Sequence, residues 1–242
     1  MGPVHTELTL EILPQPTDET CGPACLHAVY RFFSDPVPLN HVVEEVTRLG
    51  TGGTLAAYLG SHALTRGYHA TIYTYNLELF DPTWFTEAEV HLDERLREQA
   101  KAKSSRRLLA ATSAHIEYLE AGGSIRFEEL TPDLIRRILS RGLPIMTGLS
   151  ATYLYGCARE VYDEVGGAVY DSIRGSPTGH FVVLHGYDPS TDSVLVADPY
   201  LDNPLAQGHA YRVGIVRLLG AIMLGVLSYD GNLLFIEPEK AV

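Results

Sequence analysis

Apolar and polar positions alternate over residues 8–12, Leu-Thr-Leu-Glu-Ile, with the period of a short half-buried strand. A polar stretch, residues 14–20, then leads into Cys21-Gly22-Pro23-Ala24-Cys25-Leu26-His27-Ala28-Val29-Tyr30-Arg31-Phe32-Phe33, where the apolar spacing becomes helical. Thr20 stands where an N-cap is needed, and Pro23 falls in the first turn, where its missing N–H costs nothing. Helices are predicted again near residues 40–49 and 54–66, each closed by a glycine, Gly50 and Gly67. Residues 69–75, rich in Thr, Ile and Tyr, read as a strand.

Residues 86–121 change character: they are charged, alanine-rich and helical in pattern, with a break near Ser104-Ser105. Both charge signs along residues 87–103 mark a solvated face. This stretch is expected to be a helical insertion, two amphipathic helices outside the core of a single domain spanning residues 1–242. A deletion joining its flanks is then expected to fold, provided that no core residue is lost. A helix over 132–140 and a strand over 143–149 return to the core, and the glycine-dotted residues 152–179 read as a long surface loop. Strands over 181–187 and 193–197 flank a five-residue hairpin loop, Asp188-Pro189-Ser190-Thr191-Asp192. A buried helix near 213–224 and a strand over 233–236 close the domain. The class is α+β: a helical N-terminal half packed on an antiparallel sheet.

Composition narrows the function classes. The chain has 242 residues, 45% hydrophobic and 20% charged, ordinary for a soluble globular protein. Its 30 acidic against 18 basic residues leave a formal charge of −12, with lysines only at 101, 103 and 240. Nucleic-acid binding needs a Lys/Arg footprint, and so does an anionic membrane surface; neither partner is expected. The N-terminus lacks the pattern of a signal peptide. The longest apolar run, residues 215–227, contains Arg217 and falls short of the roughly 20 apolar residues a spanning helix needs. Three cysteines, Cys21, Cys25 and Cys157, suit a reducing compartment, so the expected location is cytoplasmic. Cys21 and Cys25 have three residues between them and no second Cys/His pair, which speaks against zinc or a thioredoxin-like motif; no metal or organic cofactor is expected. Gly50-Thr51-Gly52-Gly53-Thr54 could cradle an anion but reads better as a plain helix-joining loop.

Candidate chemistry begins at Cys21. A thiol at the start of a helix meets the positive end of the helix dipole, which favours a reactive thiolate, and Gly22 lets a substrate approach the backbone. Cys25, one turn further in, reads as structural. Among the histidines, His5, His41, His91 and His115 look incidental, whereas Pro177-Thr178-Gly179 delivers His180 to a strand edge. Taken singly, a buried structural cysteine and a strand-end histidine are the ordinary alternatives. Strand register connects the pieces. With residues 188–192 as the loop, Tyr187 pairs with Ser193, and Asp198 falls opposite Val182 on the face that carries His180. Diagonal neighbours on one face lie about 7–8 Å apart, within reach of His and Asp side chains. His185 pairs with Leu195 and faces the other way, so His180 is the expected partner of Asp198.

These residues resemble a family. Gln15, five residues, Cys21-Gly22-Pro23-Ala24-Cys25, then Gly179-His180-Phe181-Val182-Val183 and Ala197-Asp198-Pro199 resemble the bacteriocin-processing leader peptidases, papain-like cysteine peptidases that cut after a double glycine. The resemblance implies a papain-like domain with Cys21 as nucleophile, His180 as base, Asp198 as orienting group and Gln15 as side-chain donor of an oxyanion hole beside the Cys21 N–H. It covers about residues 8–75 and 130–200. Members are usually fused to a membrane transporter and its ATPase; this sequence shows no spanning segment and no Gly-Lys pair for a P-loop, so a stand-alone form is expected. The expected function is a cysteine peptidase or amidohydrolase working through a thioester, with a peptide or amide substrate. An acyl or aminoacyl transferase using the same acyl-enzyme and a catalytically silent peptide-binding module remain as alternatives. The insertion is the expected docking place for a precursor peptide or pathway partner.

Overall fold

The computed structural model describes residues 5–50, 52–86, 91–162, 168–228 and 230–239; residues 87–90 of the expected charged helix and Thr51 of the glycine-rich loop lie outside them. In chain order the elements are β1 (Thr6–Glu7), α1 (Cys21–Phe32), α2 (Leu39–Glu45), α3 (Ala56–Thr65), β2 (Tyr68–Thr74), α4 (Leu92–Ala102), α5 (Arg106–Glu120), β3 (Ser124–Arg126), α6 (Pro132–Leu139) and β4 (Ile145–Ser150). Then follow α7 (Ala151–Tyr155), β5 (Glu160–Tyr162), β6 (Ala168–Tyr170), β7 (Gly179–Asp188), β8 (Ser193–Ala197), β9 (Ala210–Gly214), α8 (Ile215–Leu224) and β10 (Asn232–Pro238). The main sheet runs β3-β2-β10-β4-β7-β8-β9, with β1 alongside the far end of β7, while β5 and β6 form a separate hairpin. Among the described residues every pairing is antiparallel except β2 with β3.

Period-2 alternation explains how the sheet is covered. Phe181 and Val183 of β7 join Ile72, Leu234 and α1 in one apolar cluster, whereas Val182 and Leu184 join α6 and α8 in the other. Helices therefore lie on both faces. Helix α6 shows the local logic: Thr131 accepts from the Leu134 N–H, Pro132 occupies the first turn, and Leu134, Ile135, Ile138 and Leu139 form one buried stripe. Helix α1 starts at Cys21 as expected, yet Thr20 does not cap it. Its hydroxyl accepts from the Thr17 N–H and donates to the Thr17 carbonyl, closing the preceding turn instead.

Several expectations need correction. The first strand is shorter and earlier than residues 8–12, because β1 pairs only where β7 runs past the end of β4. The supposed surface loop holds α7 and the β5–β6 hairpin. The helix expected near 213–224 starts only at Ile215, because residues 210–214 are a strand: Tyr211 and Val213 alternate inward against Val196 and Val194. The charged stretch divides. Helix α4 buries Leu96 alone, as a solvated helix should. Helix α5 instead sends Leu108, Ala111, Ala114, Ile116 and Tyr118 into the cluster that holds Cys25 and Ile72. Tyr118 is fully buried, its hydroxyl donating to the Ala70 and Ser124 carbonyls. Gly60 and Gly123 make room for its ring, since a Cβ at either would lie 2.5 or 2.3 Å from it. His115 is buried with it, donating from Nδ1 to the Ala111 carbonyl, and burial holds the imidazole down at about 4. Among the described residues no helix is long and apolar enough to cross a membrane.

Candidate active site

The hairpin of β7 and β8 aims the candidate base at the candidate acid by a route the sequence does not reveal. Asp188 pairs with Ser193, Tyr187 with Val194 and Gly186 with Leu195, one residue off the expected register, so the loop has four residues, 189–192. The ladder shifts between Leu184 and Gly186, and from Leu184–Val196 and Val183–Ala197 onward the expected register returns. His185 is the extra residue of this bulge. Two slips of opposite sign cancel, and Asp198 arrives diagonal to His180 after all. His180 Nε2 lies 2.8 Å from Asp198 Oδ1. His185 acts away from the site. Its Nδ1 donates to the Leu8 carbonyl and its carbonyl accepts from the Leu8 N–H, fastening the N-terminal segment to the sheet.

Cys21 and His180 line one cleft of about 550 Å³, running between the start of α1, the start of β7 and the turn before β10. Nε2 of His180 is committed to Asp198, which leaves Nδ1 for a partner on the cleft, and the neighbouring Cys21 adds to what keeps the proton on His180. His180 is pulled down by burial, but the Asp198 charge, its hydrogen bond and the Cys21 contact outweigh burial and carry the imidazole up to about 10. Asp198 is the mirror case. It is fully buried, which alone would raise it, yet the His180 charge and a set of hydrogen bonds hold it below the ordinary carboxylate range. Those donors are His180 Nε2 and the Tyr200 N–H on Oδ1, and the Tyr155 and Tyr211 hydroxyls on Oδ2, each 2.7–2.9 Å away. Neither tyrosine belongs to the motifs that the sequence presents. The alternation of Ala-Tyr-Arg-Val-Gly could have found Tyr211; nothing local marks Tyr155.

The remaining site candidates separate. Cys25 is fully buried with its thiol donating to the Phe181 carbonyl at 3.3 Å, and burial pushes it well above the ordinary thiol range. Gln15 joins the site through its backbone, donating from its N–H to the Pro199 carbonyl at 3.0 Å. Its side-chain Nε2 donates to the Thr17 carbonyl, while Oε1 is buried without a partner. Gly52 and Gly53 stand on the cleft wall at φ 87° and 74°, conformations that favour glycine. A Cβ at Gly52 would lie 2.4 Å from the Glu19 carboxylate, so the loop faces an anion and makes a poor anion cradle.

A second buried carboxyl shares the cleft. Asp230 fits over Gly148 and Gly179, where added Cβ atoms would lie 2.7 and 2.6 Å from its oxygens, and it accepts from the Ser228 hydroxyl. Burial pushes it up to about 7 against that hydrogen bond and the charges of Arg107 and His180. A carboxyl with a raised folded-state value binds its proton more tightly folded than unfolded, so its contribution to stability falls as pH rises from about 4 to about 7. Asp230→Asn is therefore expected to gain on the wild type across that interval, by a few kcal/mol, and to hold a constant margin above it. Urea midpoints measured against pH check this; a margin independent of pH would contradict it.

Residues 110–213 match the model of the Peptidase_C39 like family. The matched stretch begins inside α5 and includes His180 and Asp198, with Cys21 and Gln15 outside it. Over that stretch the chain is similar to the C39 peptidases, in agreement with the resemblance read from the Gln-Cys and His/Asp motifs. No curated protein matches the chain. Among solved structures it is similar, at 13% identity and a TM-score of 0.45, to a double glycine motif protease from an AMS/PCAT transporter in complex with the leader peptide, over 98% of this chain and 99% of that one. It is similar to the peptidase domain of Streptococcus ComA at 13% identity and TM-score 0.43, over 95% and 98% of the two chains. The cysteine protease xylellain from Xylella fastidiosa compares at 13% identity and TM-score 0.45, over 98% and 87%.

Proposed function

We propose that this protein is a cysteine peptidase that cleaves a peptide or amide bond through Cys21, His180 and Asp198. The observation that carries the reading is the convergence of His180, held by Asp198 at 2.8 Å, and Cys21 on one cleft, from segments some 160 residues apart in sequence. The family match over residues 110–213 supports it.

In this reading the His180 imidazolium supplies positive charge beside the Cys21 sulfur. The sulfur attacks the carbonyl carbon, and the negative charge moves to the carbonyl oxygen. Cys21 is the first residue of α1, where a backbone N–H has no intrahelical acceptor, so that N–H serves the oxyanion together with an N–H of the Gln15 amide. As the carbon–nitrogen bond breaks, His180 gives its proton to the departing amine, leaving a thioester. Water then adds to the thioester carbonyl and gives its proton to His180. The Cys21 sulfur leaves, and the acid product departs. Asp198 keeps the imidazole oriented throughout and does not take the proton.

The test uses a peptide mixture that includes double-glycine sequences, with the thioester trapped by acid quench and located by mass spectrometry. An adduct on the Cys21 peptide, absent in Cys21→Ala along with all cleavage, is the expected result. Cleavage that persists in Cys21→Ala would overturn the reading.

A further inference from the structure

We propose that Tyr155 and Tyr211 are positioning residues of this site: two phenol hydroxyls on one oxygen of Asp198 keep its other oxygen on His180. The inference rests on the peptidase reading and adds to it. An ionised carboxylate offers about four acceptor positions, two on each oxygen. Here all are taken. Oδ2 accepts from the Tyr155 and Tyr211 hydroxyls, each at 2.7 Å; Oδ1 accepts from His180 Nε2 at 2.8 Å and the Tyr200 N–H at 2.9 Å. Turning the carboxylate about its Cβ–Cγ bond would break this set, and leaving Oδ2 bare in a fully buried position would favour the neutral acid.

The clamp is built from separate elements. Tyr155 ends α7, which Gly156 terminates at φ 68°, and the Thr152 hydroxyl of the same helix accepts from the Thr178 N–H just before β7. Tyr211 belongs to β9, opposite Val196 of β8. One hydroxyl thus ties Asp198 toward the segment that carries His180, and the other ties it to the sheet. The Tyr155 ring also lies against the His180 imidazole, 6.2 Å between centroids. The other groups facing this pair are Cys21 from α1, Tyr200 from the turn after β8, Asp230 from before β10 and, against Asp198, Cys25.

Tyr155→Phe, Tyr211→Phe and the double variant keep the rings and remove only the donors. Their test is the titration of the Asp198 carboxyl carbon in protein labelled with carbon-13 aspartate, assigned by its absence in Asp198→Asn. Removing donors from a carboxylate raises its pKa, by about one unit for each hydroxyl. The same variants are expected to lower kcat about tenfold each with KM within about twofold of wild type, since the loss falls on orientation rather than binding. Tyr153→Phe, an exposed neighbour on α7, should change neither quantity. An unshifted Asp198 titration in the double variant overturns the proposal, and so does a shifted titration with unchanged kcat. The carbon signal is read without turnover, so failure of the peptidase reading, seen as cleavage by Cys21→Ala, is distinguishable from failure of the clamp.

Discussion

Iodoacetamide at about pH 6 is expected to modify Cys21 much faster than Cys25 or Cys157, and His180→Ala is expected to remove that preference. The three thiols sit in different surroundings. Cys21 opens a helix on the cleft with an imidazole held protonated beside it. Cys25 lies one turn deeper, fully buried and bonded to the Phe181 carbonyl, with burial holding its proton on. Cys157 is partly exposed, but burial and the nearby Glu160 charge raise it too. Substitution should separate the first two again. Cys21→Ala is expected to lower turnover at least about a thousandfold, because no other group on the cleft can form the thioester. Cys25→Ala should retain activity per folded molecule and lose about 1–2 kcal/mol of stability, the usual cost of a small buried group. Equal labelling of Cys21 and Cys25, or full activity in Cys21→Ala, would remove Cys21 as the nucleophile.

Tyr118→Ala is expected to cost about 3–5 kcal/mol, the range for deleting a large buried aromatic side chain. Against a total stability of about 5–15 kcal/mol, that is enough to unfold a marginal domain. The ring fills the space left by Gly60 and Gly123, and its hydroxyl satisfies the Ala70 and Ser124 carbonyls, so truncation leaves both a cavity and bare acceptors. Tyr118→Phe, which keeps the ring, should cost about 1–2 kcal/mol. Urea unfolding of the three proteins reads the difference. The same packing fails the condition on which a foldable deletion of residues 86–121 is expected, because the stretch carries core residues. A chain without them loses Leu108, Ala111, Ala114, Ile116 and Tyr118 from the core, and also the Arg107 bond to the Ser228 carbonyl beside the cleft. Such a chain should not unfold cooperatively; a sharp transition would show that α5 is dispensable.

What the sequence determined by itself is local. The start of α1 at Cys21, the cap and stripe of α6, and the α+β class all follow from patterns within a dozen residues: Gly-Pro after a polar stretch, Thr-Pro-Asp before Leu-Ile, short apolar runs either side of a turn in β7 and β8. The Cys21, His180 and Asp198 candidates were legible because residue types at loop-to-element junctions carry chemical meaning. The tertiary structure decided everything that depends on a partner from elsewhere. The charge of the 86–121 stretch is concentrated in α4, whereas α5 has an apolar face that only the sheet and α3 reveal as core. His185 is the bulge residue and its ring fastens the N-terminal segment, and that bulge, invisible in any local pattern, restores the register that joins His180 to Asp198. Tyr155 and Tyr211 meet at one carboxylate oxygen because α7 and β9 approach β8 in space. Backbone preference and hydrophobic period act over neighbours in sequence, whereas saturating a buried charge requires donors that converge in space, wherever along the chain they come from.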